Sequence, residues 1–308
     1  MDLGLFDHID RNRRRSVVLI VVAVLFLVAL GGVLGHASGV TPWGGMGAAA
    51  VLGVILALVA WFQGSSIVLA TAGAQEVSRD EDPELVNVVE EMAIASGLPK
   101  PKVYRIETDA MNAFAAGIKP QEAVVAVTRG LRQRLTREEL QGVVAHEMAH
   151  IGNYDTRVMI LMAVIVGSVA ILSDWYLRSM RFRRLGGSRK GGGKGEGIVI
   201  LIAIVCAILA PLFAMLIQFA VSRQREYLAD ATGAAMTRNP GALADALEKL
   251  GGSGVRLDTA NRGTQHMFIV NPFHLHQNWN TPFASHPPIE ERIRRLRALE
   301  GKKAPRPA

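Results

Sequence analysis

The chain has a single cysteine, Cys206, and it lies inside an apolar run. An internal disulfide is therefore excluded, and nothing points to an oxidising compartment. Aromatic residues are scarce, at 6%, although half of all residues are hydrophobic. Mean hydropathy is positive, at +0.24, and the aliphatic residues gather in long runs, as in a membrane protein. Charge is missing from whole stretches: residues 16–35, 45–73 and 198–221 contain no Asp, Glu, Lys or Arg.

Those stretches set the organisation. Residues 16–35 are twenty mostly apolar residues, enough to span a hydrocarbon core of about 30 Å as a helix, and they follow the basic block Arg11, Arg13, Arg14, Arg15. The run is long for the apolar core of a signal peptide, and a second follows almost at once, so it reads as a retained span. The link near residues 36–43 has no Lys or Arg, which puts the N-terminus in the cytoplasm and returns the second span there. Residues 158–177 and 198–221 are further apolar runs, joined by a loop with Arg178, Arg181, Arg183, Arg184, Arg189, Lys190 and Lys194 against Glu196. A full crossing would leave those seven cations outside, against the positive-inside tendency. The expectation is two spans and an embedded hairpin that keeps Ser188 inside. The net charge of +7 fits an anionic membrane surface better than nucleic acid, because the basic residues sit beside apolar runs.

The chain thus divides into a cytoplasmic N-terminus (1–15), two transmembrane helices (16–73), a soluble first half (74–157), an apolar hairpin (158–221) and a soluble second half (222–308). In the first half, Asp82 before Pro83 reads as an N-cap and first helical residue, ended by Gly97 and Pro99. Strands are expected at 102–106, 112–117 and 123–128. Thr136 and Glu139 form a capping box, so a helix should start near Arg137. In the second half Asn239-Pro240 caps one helix, and Pro287-Pro288 opens the last, with Ile289, Ile293 and Leu296 inward. Glu290–Arg294 and Glu291–Arg295 are then i, i+4 pairs. His266, His274 and His276 read as ordinary loop residues.

The helix from Arg137 carries His146-Glu147-Met148-Ala149-His150, an H-E-x-x-H motif. Residues i and i+4 share a helix face, so two imidazoles one turn apart can grip one zinc ion. Glu147 beside them is placed to take a proton from an activated water. Such a site needs a third ligand. Glu226 is the candidate, with Asp230 one turn on to hydrogen-bond the non-metal nitrogen of a zinc histidine. Asp155 is expected to cap the helix that follows, the alternative being a carboxylate that backs a metal ligand.

These pieces resemble the gluzincin membrane proteases, most closely the HtpX-type heat-shock proteases. The likeness extends to Asp109 and Ala110 before Met111, Asn112, Ala113, Phe114 and Ala115, to Arg223 through Asp230, to Asn239-Pro240, and to the S-H-P-P-I-E-E-R-I stretch at residues 285–293. It implies a mainly α fold with a small β-sheet (α+β), one Zn²⁺ per chain on His146, His150 and Glu226, and Glu147 as general base. It also implies a multi-pass protein of the cell inner membrane, with its catalytic domain in the cytoplasm. Its substrates would be misfolded or damaged membrane proteins, as in stress-linked quality control. Asn112, Ala113, Phe114 and Ala115 form a candidate substrate strand, accepting an extended peptide by strand addition; the same stretch also reads as an ordinary buried strand. His286, stiffened by Pro287-Pro288, either caps the last helix or reaches the open metal position. The competing readings are a CAAX prenyl-type processing protease and a non-catalytic membrane scaffold with a structural metal.

Overall fold

A computed structural model describes residues 3–185, 194–257, 267–270 and 286–301. The expectations for the basic glycine loop around Ser188, for His266, His274 and His276, and for the tail after Gly301 lie outside the described residues. The chain forms two compact units, one of Met1–Phe62 with Leu161–Gln218, the other of Gln63–Ile160 with Phe219–Ala308.

The first unit is helical. It contains α1 (Leu3–Ala37), α2 (Pro42–Ala72) as far as Phe62, and the corresponding parts of α6 (Asp155–Leu185) and α7 (Lys194–Thr237). Leu27, Leu30 and Leu34 of α1 cluster with Val169, Tyr176, Ala203 and Ala207. α1 and α2 meet through small residues. A Cβ on Gly45 would fall 2.2 Å from the Gly31 carbonyl oxygen, and one on Gly31 would fall 2.3 Å from Ala49 Cβ. Only glycine permits backbones this close, which is how apolar helices pack without a hydrophobic driving force. Val18, Leu25, Val51, Ile55, Ile171 and Ile208 remain exposed. Among the described residues, Pro42–Ala72 is long and apolar enough to cross a membrane.

The second unit holds a mixed four-stranded sheet in the order β1 (Ala74–Glu76), β2 (Lys102–Ile106), β4 (Val124–Thr128), β3 (Ala113–Ala116). β2 and β4 are parallel, and the outer pairs are antiparallel. All five residues of β4 are buried, so it reads as an apolar run rather than an alternation. α3 (Pro83–Ser96) is capped by Asp82 and ends at Gly97, whose φ of 69° is the left-handed conformation glycine tolerates. The short helix α4 (Arg129–Arg134) follows β4, and α5 (Arg137–Gly152) carries the expected reciprocal capping box of Thr136 and Glu139. α8 (Pro240–Gly251) is capped by Asn239, and α9 (Ile289–Glu300) closes the unit.

One core joins these elements. It includes Leu85 and Val89 from α3, Val103, Val125 and Val127 from the sheet, Val143 and Met148 from α5, Leu243 and Leu247 from α8, and Ile289 and Leu296 from α9. Gly142 permits close packing of α5 on α8, because a Cβ there would lie 3.0 Å from Leu243 backbone atoms. On α9, Arg294 and Arg295 both pair with Glu291. The expected Glu290–Arg294 pair is replaced by the i, i+3 alternative.

Candidate active site

α5 is buried from Val143 through Ile151, so its histidines sit in protein rather than water. His146 Nε2 and His150 Nε2 are 3.1 Å apart. α7 lies against this helix because it has no side chain at Gly233. A Cβ there would be 2.9 Å from the His146 amide nitrogen and 3.2 Å from its Cα. Glu226, two turns earlier on α7, then reaches both rings: its Oε2 is 3.7 Å from His146 Nε2 and its Oε1 3.5 Å from His150 Nε2. The donor atoms of His146, His150 and Glu226 lie within 4.8 Å of one another.

Each histidine has a carboxylate behind it. His146 Nδ1 is 2.9 Å from Asp230 Oδ1, and His150 Nδ1 is 3.0 Å from Asp155 Oδ2. Such partners fix the tautomer and aim Nε2 at a metal. Asp155 begins α6, but its carboxylate turns back to His150 instead of serving only its own helix. The left-handed residue Tyr154, with φ of 59°, makes the reversal between α5 and α6 that brings it there.

Arg292 was not singled out from the sequence. It is 1% exposed and donates through Nε and Nη2 to the two Asp230 oxygens at 2.8 and 2.7 Å. Its Nη1 lies 3.3 Å from Glu226 Oε2. The available signal was its spacing: Ile289, Arg292 and Leu296 are i, i+3, i+7, so an arginine stands in the inward stripe of an amphipathic helix. His286 is 3% exposed, with Nδ1 3.3 Å from Glu226 Oε2. The N-cap of α9 is Pro288, with no side-chain capping bond.

The electrostatics suit a cation. Burial penalises the Glu226 charge, but His286, Arg292 and His150 outweigh it and hold the carboxyl well below its usual range. Burial likewise opposes charge on His150, yet Asp155, Glu226 and Glu147 push it up to about 9. Burial pulls His146 down, against the opposing pull of Asp230. A cluster that draws a proton to its centre has the charge deficit that a divalent cation fills, releasing that proton on binding. Two imidazoles and one carboxylate are also the donor set of an open metal site. Glu147 is 1% exposed, and burial pushes it up to about 7 against the opposing pull of His150 and of a backbone hydrogen bond from Ala115. Asn112, Ala113, Phe114 and Ala115 are all buried at the β3 edge of the sheet, and α5 packs against β3.

A buried pair of helical histidines with a carboxylate from a second helix, under a small sheet, is the arrangement of a metal-dependent peptidase site. The chain belongs to Peptidase family M48, whose profile matches residues 79–300. It is 39% identical over 300 residues to a protein named Protease HtpX homolog from Listeria monocytogenes serotype 4b (strain CLIP80459), covering 95% of this chain and 99% of that one. It is 43% identical over 298 residues to a protein of the same name from Caldanaerobacter subterraneus subsp. tengcongensis, covering 96% and 98%. The crystal structure of S. mikatae Ste24p shares the fold, with a TM-score of 0.52 at 18% identity over 96% of this chain and 67% of that one.

Proposed function

We propose that the chain is a membrane-bound zinc endopeptidase that hydrolyses peptide bonds of misfolded or damaged membrane proteins. The observation that carries this reading is the convergence of His146, His150 and Glu226 on one point, beside the buried carboxylate of Glu147. Zinc, when bound, supplies Lewis acidity to the scissile carbonyl and to the attacking water.

The protein residues do the rest. His146, His150 and Glu226 would hold the ion, with Asp230 and Asp155 orienting the rings. Glu147 accepts the proton of the attacking water and returns it to the leaving amine; a carboxylate that burial has already raised toward neutrality holds and releases a proton readily. His286 stands ready to donate to the oxyanion. Asn112, Ala113, Phe114 and Ala115 orient the substrate main chain as an added strand. The apolar helices keep the site at the membrane, with the catalytic unit on the cytoplasmic side of an inner membrane.

The test is metal content together with cleavage of casein and of a detergent-solubilised membrane protein, with and without a chelator, for wild type and Glu147→Gln. The expected result is one zinc per chain in both proteins, chelator-sensitive cleavage by wild type and none by the variant. Full cleavage by a folded, zinc-loaded Glu147→Gln protein overturns the mechanism.

A further inference from the structure

The outer edge of β3 is already taken. Residues 267–270 lie along it, with Phe268 opposite Phe114 in an antiparallel bridge. The Ile269 N–H donates to the Ala113 carbonyl at 3.0 Å. The Asn112 side chain makes a two-way pair with Val270: Nδ2 donates to the Val270 carbonyl at 3.0 Å, and Oδ1 accepts from the Val270 N–H at 3.4 Å. Arg292 Nη1 donates to the Ile269 carbonyl at 2.8 Å.

All four contacts use main-chain atoms of the segment. A site that reads N–H and C=O groups in extended geometry binds a backbone, not a particular sequence. Side chains add one apolar contact, the Phe268 ring edge-on to Phe114 with centroids 5.2 Å apart, and bury Ile269 in the core. An extended peptide with apolar residues in the places of Phe268 and Ile269 offers the same groups. The alternation of β3 also turns the Ala113 and Ala115 main chains outward together, so a strand on this edge runs past the helix that bears Glu147.

We propose that residues 267–270 are an internal competitor for the peptide-binding edge of β3, and that a substrate strand binds by displacing them and taking over the bonds to Asn112, Ala113 and Arg292. This rests on the peptidase reading above. The resting chain is then self-inhibited. Its apparent affinity for substrate is the intrinsic affinity reduced by the fraction of molecules whose edge is free.

Two experiments test this, with casein as the probe. Phe268→Ala weakens the competitor without touching its main-chain bonds. KM should fall roughly 3- to 10-fold at unchanged kcat, the scale of one aromatic pair. A residue that is only structural lowers the melting temperature and leaves KM where it was or raises it; either KM result overturns the proposal. The second experiment locks the competitor in place. Phe114 and Phe268 face each other as a non-hydrogen-bonded pair, with Cα atoms about 4.5 Å apart in such pairs, within disulfide reach. Phe114→Cys with Phe268→Cys, in a Cys206→Ser background, should cleave casein more slowly when oxidised with diamide than when reduced, at constant zinc content, with Phe114→Cys alone in the same background setting the reference rate and showing no response to diamide. Equal rates in the two redox states overturn the proposal. A zinc-loaded Cys206→Ser parent that cleaves no casein overturns the peptidase reading itself, and the competitor with it.

Discussion

Arg292 grips Asp230 with a two-pronged hydrogen bond, Nε to Oδ2 at 2.8 Å and Nη2 to Oδ1 at 2.7 Å, and Asp230 in turn stands 2.9 Å from His146 Nδ1. The last helix therefore holds the orientation of a histidine on α5, through a carboxylate on α7. Lysine keeps the charge but cannot form the planar fork. Arg292→Lys is expected to weaken zinc binding by about 10- to 100-fold, the range for losing an outer partner of a metal histidine. Competition against a calibrated chelator measures it, and wild-type affinity would show that Arg292 only balances charge.

The close approach of α7 to α5 at Gly233 makes a second prediction. A methyl group there meets the His146 backbone at 2.9 Å, and backbone cannot rotate away. Gly233→Ala should cost about 1–3 kcal/mol as overpacking and draw Glu226 off the histidines. Thermal unfolding of the metal-free protein reports the first effect and zinc titration the second. An unchanged zinc affinity would show that α7 adjusts without moving Glu226.

The carboxylate on the metal side, Glu226, differs from the two behind the histidines, Asp155 and Asp230, and substitution should separate them. Glu226→Ala removes a donor and should abolish stoichiometric zinc at micromolar concentrations. Asp155→Asn and Asp230→Asn leave all three donors in place and should weaken affinity by about 10- to 100-fold each. Equal zinc binding by Glu226→Ala and wild type would mean that another carboxylate is the ligand.

Much of this site was legible in the residues. The capping box at Thr136 and Glu139 announced α5, and H-E-x-x-H on that helix announced the paired histidines. Strands 102–106 and 123–128 showed themselves as short β-branched runs. What stayed hidden depends on long-range approach. Gly233 sits in an unremarkable helical stretch, and its purpose exists only because α5 passes within contact distance. Arg292 looked like one of several arginines on a charged helix until its inward spacing was matched with a buried aspartate 62 residues earlier. Asp155 carries a strong capping signal, and the left-handed turn at Tyr154 that sends it back to His150 is not written in any local motif. Residues 267–270 pair with a strand more than 150 residues away in sequence, a contact that no local periodicity encodes.

His286 supports the last prediction. The sequence left open whether it caps the final helix or belongs to the site. In the structure the cap of α9 is Pro288, without a side-chain bond, while His286 Nδ1 lies 3.3 Å from Glu226 Oε2 and pairs with that carboxylate, and its Nε2 has no hydrogen-bond partner. A buried ring nitrogen left unused is costly unless a ligand or a transition state uses it. A lost cap would cost about 0.5–2 kcal/mol of stability and leave turnover per folded molecule unchanged. A lost oxyanion donor instead lowers kcat by about 100- to 1,000-fold. His286→Ala is expected to retain zinc and the wild-type melting temperature while kcat for casein falls on that scale. A lower melting temperature with unchanged kcat would return His286 to a purely structural role.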